Sequence, residues 1–258
     1  MEDYMKKMIG FLFTSFLLLG ILLGSASCIF SSKTVEEYKD YRCYDYHLRY
    51  LNTSKSIGKY TLEQDNTVYN IDYKKIIGED EAKLIGAEIS STAGAFSSGY
   101  DPRVLQNPNT YVSIIDDWTI EKMQFCLYDI TKEERNVIFE SGDADDIAAF
   151  RTLLSSDDHS VWKPDSGYVN ELSKSGDEKQ LYLRIVFSES ENVVWETEIK
   201  SYFNQSLDER VFSIDLGKEI LGYSDISVKM IKTEDPTLKT LFTEMINQIG
   251  SLQDRSFE

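Results

Sequence analysis

The chain is poor in the residues that most often do chemistry. Only two histidines, three cysteines and four prolines are spread over 258 residues. A nucleophilic site needs a base that a third group orients, and the bases at hand are His47 and His159. No Gly-x-Ser-x-Gly elbow, no His-Glu-x-x-His helix and no glycine-rich phosphate loop occurs, so no hydrolase, zinc-protease or nucleotide signature is present and no cofactor is implied. Asp143, Asp145 and Asp146 look like the start of a calcium loop. No Gly follows at the sixth position, however, and Leu154 holds the twelfth, where a glutamate is needed. Helix capping explains these acids better. Asp157-Asp158-His159 has no second His or Cys cluster to complete a metal site and reads as a solvated turn.

Basic charge is also scarce. Lys and Arg number 27 against 44 Asp and Glu, for a net charge of −17. That argues against nucleic acid as a partner, because phosphate binding needs clustered cations. It argues equally against lying flat on an anionic lipid surface. Hydrophobic residues make up 41 % and charged residues 28 %, the balance of a folded chain with a real core.

The sequence has one long apolar run. Met5-Lys6-Lys7-Met8 opens a stretch from Ile9 to Leu23 broken only by Gly10, Thr14, Ser15 and Gly20, and Gly24-Ser25-Ala26-Ser27-Cys28 follows. A basic start, an apolar middle and small residues before a boundary are the three parts of a secretory signal. Ala26-Ser27-Cys28 after a Leu-rich run resembles the lipobox of bacterial lipoproteins. The resemblance covers the first 28 residues and implies a diacylglyceryl group on Cys28, which would become the first mature residue. Two acyl chains at about 0.8 kcal/mol per buried methylene hold a globular domain where one chain does not. The residues alone leave an uncleaved anchor and plain secretion open. The layout expected is therefore a signal or anchor over 1–27, a tether over 28–40 and an extracytoplasmic domain over 41–258, with a possible subdivision near 160.

If Cys28 carries lipid, Cys43 and Cys126 remain as an even pair. Outside the cytoplasm they could form a disulfide closing a long loop; the alternative is two separate buried thiols.

From Arg42 the sequence alternates. Tyr44, Tyr46, Leu48 and Tyr50 fall on one side of a half-buried strand, where the tyrosines could contact a sugar ring or a protein partner or simply pack in a sheet. Lys59–Gln64 and Thr67–Ile77 flank an Asp65-Asn66 turn, and Ala82–Ser90 adds another strand. Residues 91–110 are rich in Gly, Ser, Pro and Asn. They read either as an adaptable loop offering Phe96 and Tyr100 as contacts or as an element that patterning misses. Tyr111–Ile115 is expected as a short strand. Lys122–Ile130 and Asn136–Glu140 form a hairpin, followed by a helix capped at Asp145 with Ile147, Phe150, Leu153 and Leu154 on its apolar face. Leu181–Phe187 and Val193–Ile199 form a second hairpin. Val211–Asp215 and Ile226–Ile231 add strands. Asp235-Pro236 opens a final helix with Leu238, Leu241, Phe242, Met245, Ile246, Ile249 and Leu252 in a stripe. Strands grouped with helices after them predict an α+β fold: antiparallel sheets with helices packed on one face, including an amphipathic C-terminal helix.

The function expected is a non-catalytic, membrane-anchored surface protein that binds an unidentified protein or envelope polymer. An extracytoplasmic hydrolase built from paired Asp or Glu and an envelope assembly factor are the alternatives.

Overall fold

The computed structural model describes residues 37–64, 67–93, 96–97, 101–129, 134–155, 164–170, 179–215 and 230–254. The signal segment, Cys28 and most of the tether lie outside these residues, as do Tyr100, Asp157-Asp158-His159 and the side chain of Phe96. The fold is dominated by two sheets, and every pairing among the described strands is antiparallel. No helix of the described residues is long and apolar enough to cross a membrane.

In chain order, β1 (Leu48–Tyr50) belongs to the larger sheet, and β2 (Thr53–Gln64), β3 (Thr67–Ile76), β4 (Leu84–Ala93), β5 (Phe96–Ser97) and β6 (Asp101–Gln106) build a five-stranded sheet. A short helix, α1 (Ile114–Asp117), leads into β7 (Ile120–Asp129), β8 (Glu134–Ser141) and α2 (Ala144–Ser155). Then come β9 (Tyr168–Asn170), β10 (Lys179–Phe187), β11 (Ser190–Asn204), β12 (Glu209–Asp215), β13 (Met230–Lys232) and α3 (Pro236–Asp254). The eight-stranded sheet runs β13-β12-β11-β10-β7-β8, with β1 and β9 also on β11. Residue 160 does not divide the sheets, since β10 pairs with β7.

The long strand β11 organises the larger sheet. Its first half pairs with β10 on one edge and β1 on the other; its second half pairs with β9 and β12. The β10–β11 turn closes where the Ser190 hydroxyl accepts from the amides of Asn192 at 3.1 Å and Val193 at 2.9 Å. Met123, Phe125, Leu183, Ile185, Trp195, Ile199, Phe212 and Ile214 are buried together with Leu238, Leu241, Phe242, Met245 and Ile249 of α3. The Phe242 ring stands 5.6 Å from Phe125 and 5.2 Å from Phe212, and Phe150 of α2 stands 5.8 Å from Trp195. Helix α3 starts where expected: the Asp235 carboxylate accepts from the amides of Thr237 and Leu238, and Pro236 follows the cap.

The smaller sheet has its own cluster. Ile85, Ala87 and Ile89 of β4 alternate inward with Tyr73 of β3 and Leu105 of β6, under Tyr38, Tyr41 and Cys43. Tyr38 was expected in the tether but is buried, because its ring meets Tyr41 edge-on at 5.3 Å and its hydroxyl donates to Glu81. On the other side of the same strands, Leu84 and Val104 join the larger core.

Within 91–110 stand elements that patterning missed: β4 extends to Ala93 and β6 spans Asp101–Gln106. Three local expectations need correction. Tyr111–Ile115 is no strand; the Ser113 amide donates to the Asp117 carboxylate at 2.9 Å and starts α1. Asp143, not Asp145, caps α2, its carboxylate accepting from the Asp145 amide at 2.8 Å. The stretch 42–50 is strand only at Leu48–Tyr50.

Candidate functional site

The fate of Tyr44, Tyr46 and Tyr50 follows from Asp45. Its side chain accepts from the His47 amide at 2.9 Å and its carbonyl accepts from Leu48 at 3.3 Å, so the chain turns instead of extending. Before the turn, Arg42 pairs backbone to backbone with Gln106 of β6; after it, β1 pairs with β11. The segment therefore stitches the two sheets together, and the three tyrosines diverge rather than share a side.

Tyr50 points inward against the smaller sheet. A Cβ on Gly86 would sit 2.8 Å from its ring, so β4 approaches this closely only because position 86 is glycine. Tyr46 is a stacking platform: the guanidinium of Arg103 lies 3.7 Å and that of Arg49 5.2 Å from its centroid, and both arginines donate to its carbonyl. Tyr44 is 40 % exposed, with its ring 4.3 Å from that of Tyr111, which is 47 % exposed. Val112 is exposed beside them, and its amide donates to the buried Gln106 side chain at 3.4 Å. The aromatic pair thus stands on residues that are tied to β6.

A second cluster lies on the larger sheet, on the side of β7, β10 and β11 opposite Phe125, Leu183 and Trp195. Glu196 is only 4 % exposed. Arg184 places Nε and Nη2 each 3.0 Å from Oε2, and Arg135 of β8 places Nη1 3.0 Å from Oε1. Tyr128 and Tyr182 flank the Arg135 guanidinium at 5.4 and 5.1 Å. Burial raises the Tyr182 phenol above its ordinary range, with Glu198 adding to it. With both oxygens of Glu196 held by guanidinium, the acid and its two arginines tie β8, β10 and β11 together. Patterning missed it, although the register was legible: an acid in Val193–Ile199 and a base in Leu181–Phe187 stand opposite each other across the turn.

Among the described residues, Asp45 and His47 form an arrangement that looks like a base and its orienter. Nδ1 lies 3.3 Å from Asp45 Oδ1, while Nε2 is buried with no hydrogen-bond partner among the described residues. The ring is 4 % exposed and lies 4.7 Å from Trp195. Among the described residues no hydroxyl or thiol is hydrogen-bonded to Nε2, and what the pair visibly does is anchor the turn.

The two cysteines do not pair with each other. Cys43 belongs to the smaller sheet's cluster, its Sγ 3.5 Å from the Asp45 carbonyl, and Cys126 is buried in β7. Burial pushes the Cys126 thiol up to about 11. Among the described residues, no group of three or more His, Cys, Asp or Glu is placed to hold a metal ion.

No known protein family, curated protein or solved structure matches the chain, so its own residues carry the functional reading.

Proposed function

We propose that this chain is a non-catalytic binding protein held at the outer face of a bacterial membrane by a lipid on Cys28, and that it meets its partner through Tyr44 and Tyr111. The supporting observation is the exposed aromatic pair with rings 4.3 Å apart. Tyrosine gives large contact area for two torsions of side-chain freedom, and this pair rises from a braced part of the fold. Such a platform suits an apolar protein surface or the face of a sugar ring in an envelope polymer. Two further expectations belong to the same proposal. Helices α2 and α3 cover one side of the eight-stranded sheet, and α3 does so through an amphipathic stripe; the Phe150–Trp195, Phe242–Phe125 and Phe242–Phe212 contacts support this.

A photo-crosslinking side chain in place of Tyr111, in the full chain in bacterial cells, tests the contact. Capture of one envelope component, lost on adding Tyr44→Ala, supports it; no adduct, or one indifferent to Tyr44, overturns it. The anchor is tested separately by the intact mass of the N-terminal peptide from the membrane fraction. Acyl mass on Cys28 that disappears in Cys28→Ser supports the lipid, and an unmodified peptide beginning at Met1 or Met5 refutes it.

A further inference from the structure

We infer that the outer edge of β2 is a self-association surface, on which a second copy of this chain adds its own β2 in antiparallel register centred on Thr61. Among the described strands, β2 pairs only with β3 and so ends the smaller sheet. Its pairing with β3 is irregular before Gly58, with shifts at Thr53/Lys55 and Ser56/Gly58, and regular from Gly58 to Gln64. Thr61 is the midpoint of that regular stretch.

Edge strands usually resist pairing through bulges, like charges or proline. The stretch Gly58–Gln64 has neither bulge nor proline, and its only charges are Lys59 and Glu63. An antiparallel pair about Thr61 sets Lys59 opposite Glu63 of the second copy, Tyr60 opposite its Leu62, and Thr61 opposite its Thr61. Opposite charges, an aromatic–aliphatic pair and a Thr–Thr pair are all favourable cross-strand neighbours. A shift of two residues brings Tyr60 opposite Tyr60 and breaks the charge match, so the sequence specifies this register.

The apolar face agrees. Tyr60 and Leu62 are 39 % and 38 % exposed. They stand across from Ile71 and Tyr69 of β3, which pack against the Tyr38–Tyr41–Tyr73 cluster. Pairing of two copies continues that cluster from one sheet into the next and covers both side chains. The opposite edge of the larger sheet is a contrast. Strand β8 is bulged between Val137 and Phe139, its Arg135 is held by Glu196, and its Glu140 by Lys122 and Gln124.

One strand pair falls short of the roughly 1,200 Å² of buried surface typical of stable complexes. Covalent capture of a reversible dimer is therefore the suitable readout. The full chain carrying Thr61→Cys should give an intermolecular disulfide on mild oxidation that the unsubstituted chain does not. Lys59→Cys and Glu63→Cys should each stay monomeric alone but crosslink when mixed, because only that mixture places two thiols opposite each other. Adding Lys59→Glu to Thr61→Cys should cut the dimer yield at least tenfold, and combining Lys59→Glu with Glu63→Lys should restore it. If Thr61→Cys yields no dimer, if Lys59→Cys alone crosslinks as well as Thr61→Cys, or if the charge swap fails to restore the yield, the inference is wrong. All three positions are exposed, and a melt matching the unsubstituted chain confirms that each variant folds.

Discussion

The two sheets bury different chemistry. The larger one buries phenylalanine, leucine, isoleucine and tryptophan, with an acid locked between two arginines on its far side. The smaller one is sealed by tyrosines whose hydroxyls reach its β3–β4 turn: Tyr38 donates to the Glu81 carboxylate at 3.1 Å and Tyr41 to the Glu81 carbonyl at 2.9 Å. Burial, with Glu81 adding to it, raises the Tyr38 phenol. A large core gains stability from the apolar volume it fills. A thin cluster near the surface can use hydroxyl-bearing rings, because one end still finds a partner.

The largest effect is expected on the first of these. Phe125→Ala removes a ring wedged between Phe139 and Phe242 and should cost about 3–5 kcal/mol in denaturant unfolding. Glu196→Ala leaves the buried Arg184 guanidinium uncompensated and should cost about 3 kcal/mol or more, whereas Arg135→Ala, at a partly exposed position, should cost less than half of that. Equal losses from Glu196→Ala and Arg135→Ala would show that the cluster is not closed in the way described. At the seam, Gly86→Ala forces a methyl into the Tyr50 ring and should cost about 1–3 kcal/mol; a neutral result would mean the sheets are not in contact there. In the tyrosine cluster, Tyr38→Phe deletes one hydrogen bond and should cost only about 0.5–1.5 kcal/mol.

The pH response sharpens the same contrast. Cys126 holds its proton more tightly folded, at about 11, than at its ordinary value of 9.0. A raised folded value means the contribution is present below about 9 and is lost as pH climbs towards about 11. Stability should therefore fall across that window, and Cys126→Ala should flatten that part of the profile. An unchanged profile in the variant would assign the loss to the tyrosines instead.

Where one rule acted alone, the sequence was legible. The hairpins β7–β8 and β10–β11 show as apolar runs on either side of their turns, bulges notwithstanding, and Asp235-Pro236 starts α3 by capping chemistry that needs nothing distant. The misreadings come from competition. Asp45 offers its side chain to the backbone and turns a stretch whose alternation looks like a strand. Strand β6 hides behind Asp101-Pro102, a dipeptide that reads as a turn, although the segment pairs along its length with β4. The candidate contact was half visible. Tyr44 stood out within a tyrosine-rich run, but Tyr111 is far off in sequence and joins it only because Arg42 and Gln106 bring their two segments together.

The seat of β1 on β11 also dictates an order of events. The tyrosine cluster needs only residues 38–105, so the smaller sheet can close while the chain is still being made. Leu48–Tyr50 cannot find Val193–Trp195 until most of the larger sheet exists. Until then the Leu84 and Val104 side of the finished sheet lacks its cover, and ring closure between such distant segments is the slow step. A nascent chain halted before residue 190 would thus present a folded sheet with one bare apolar side, the species most in need of a chaperone and the first to aggregate without one.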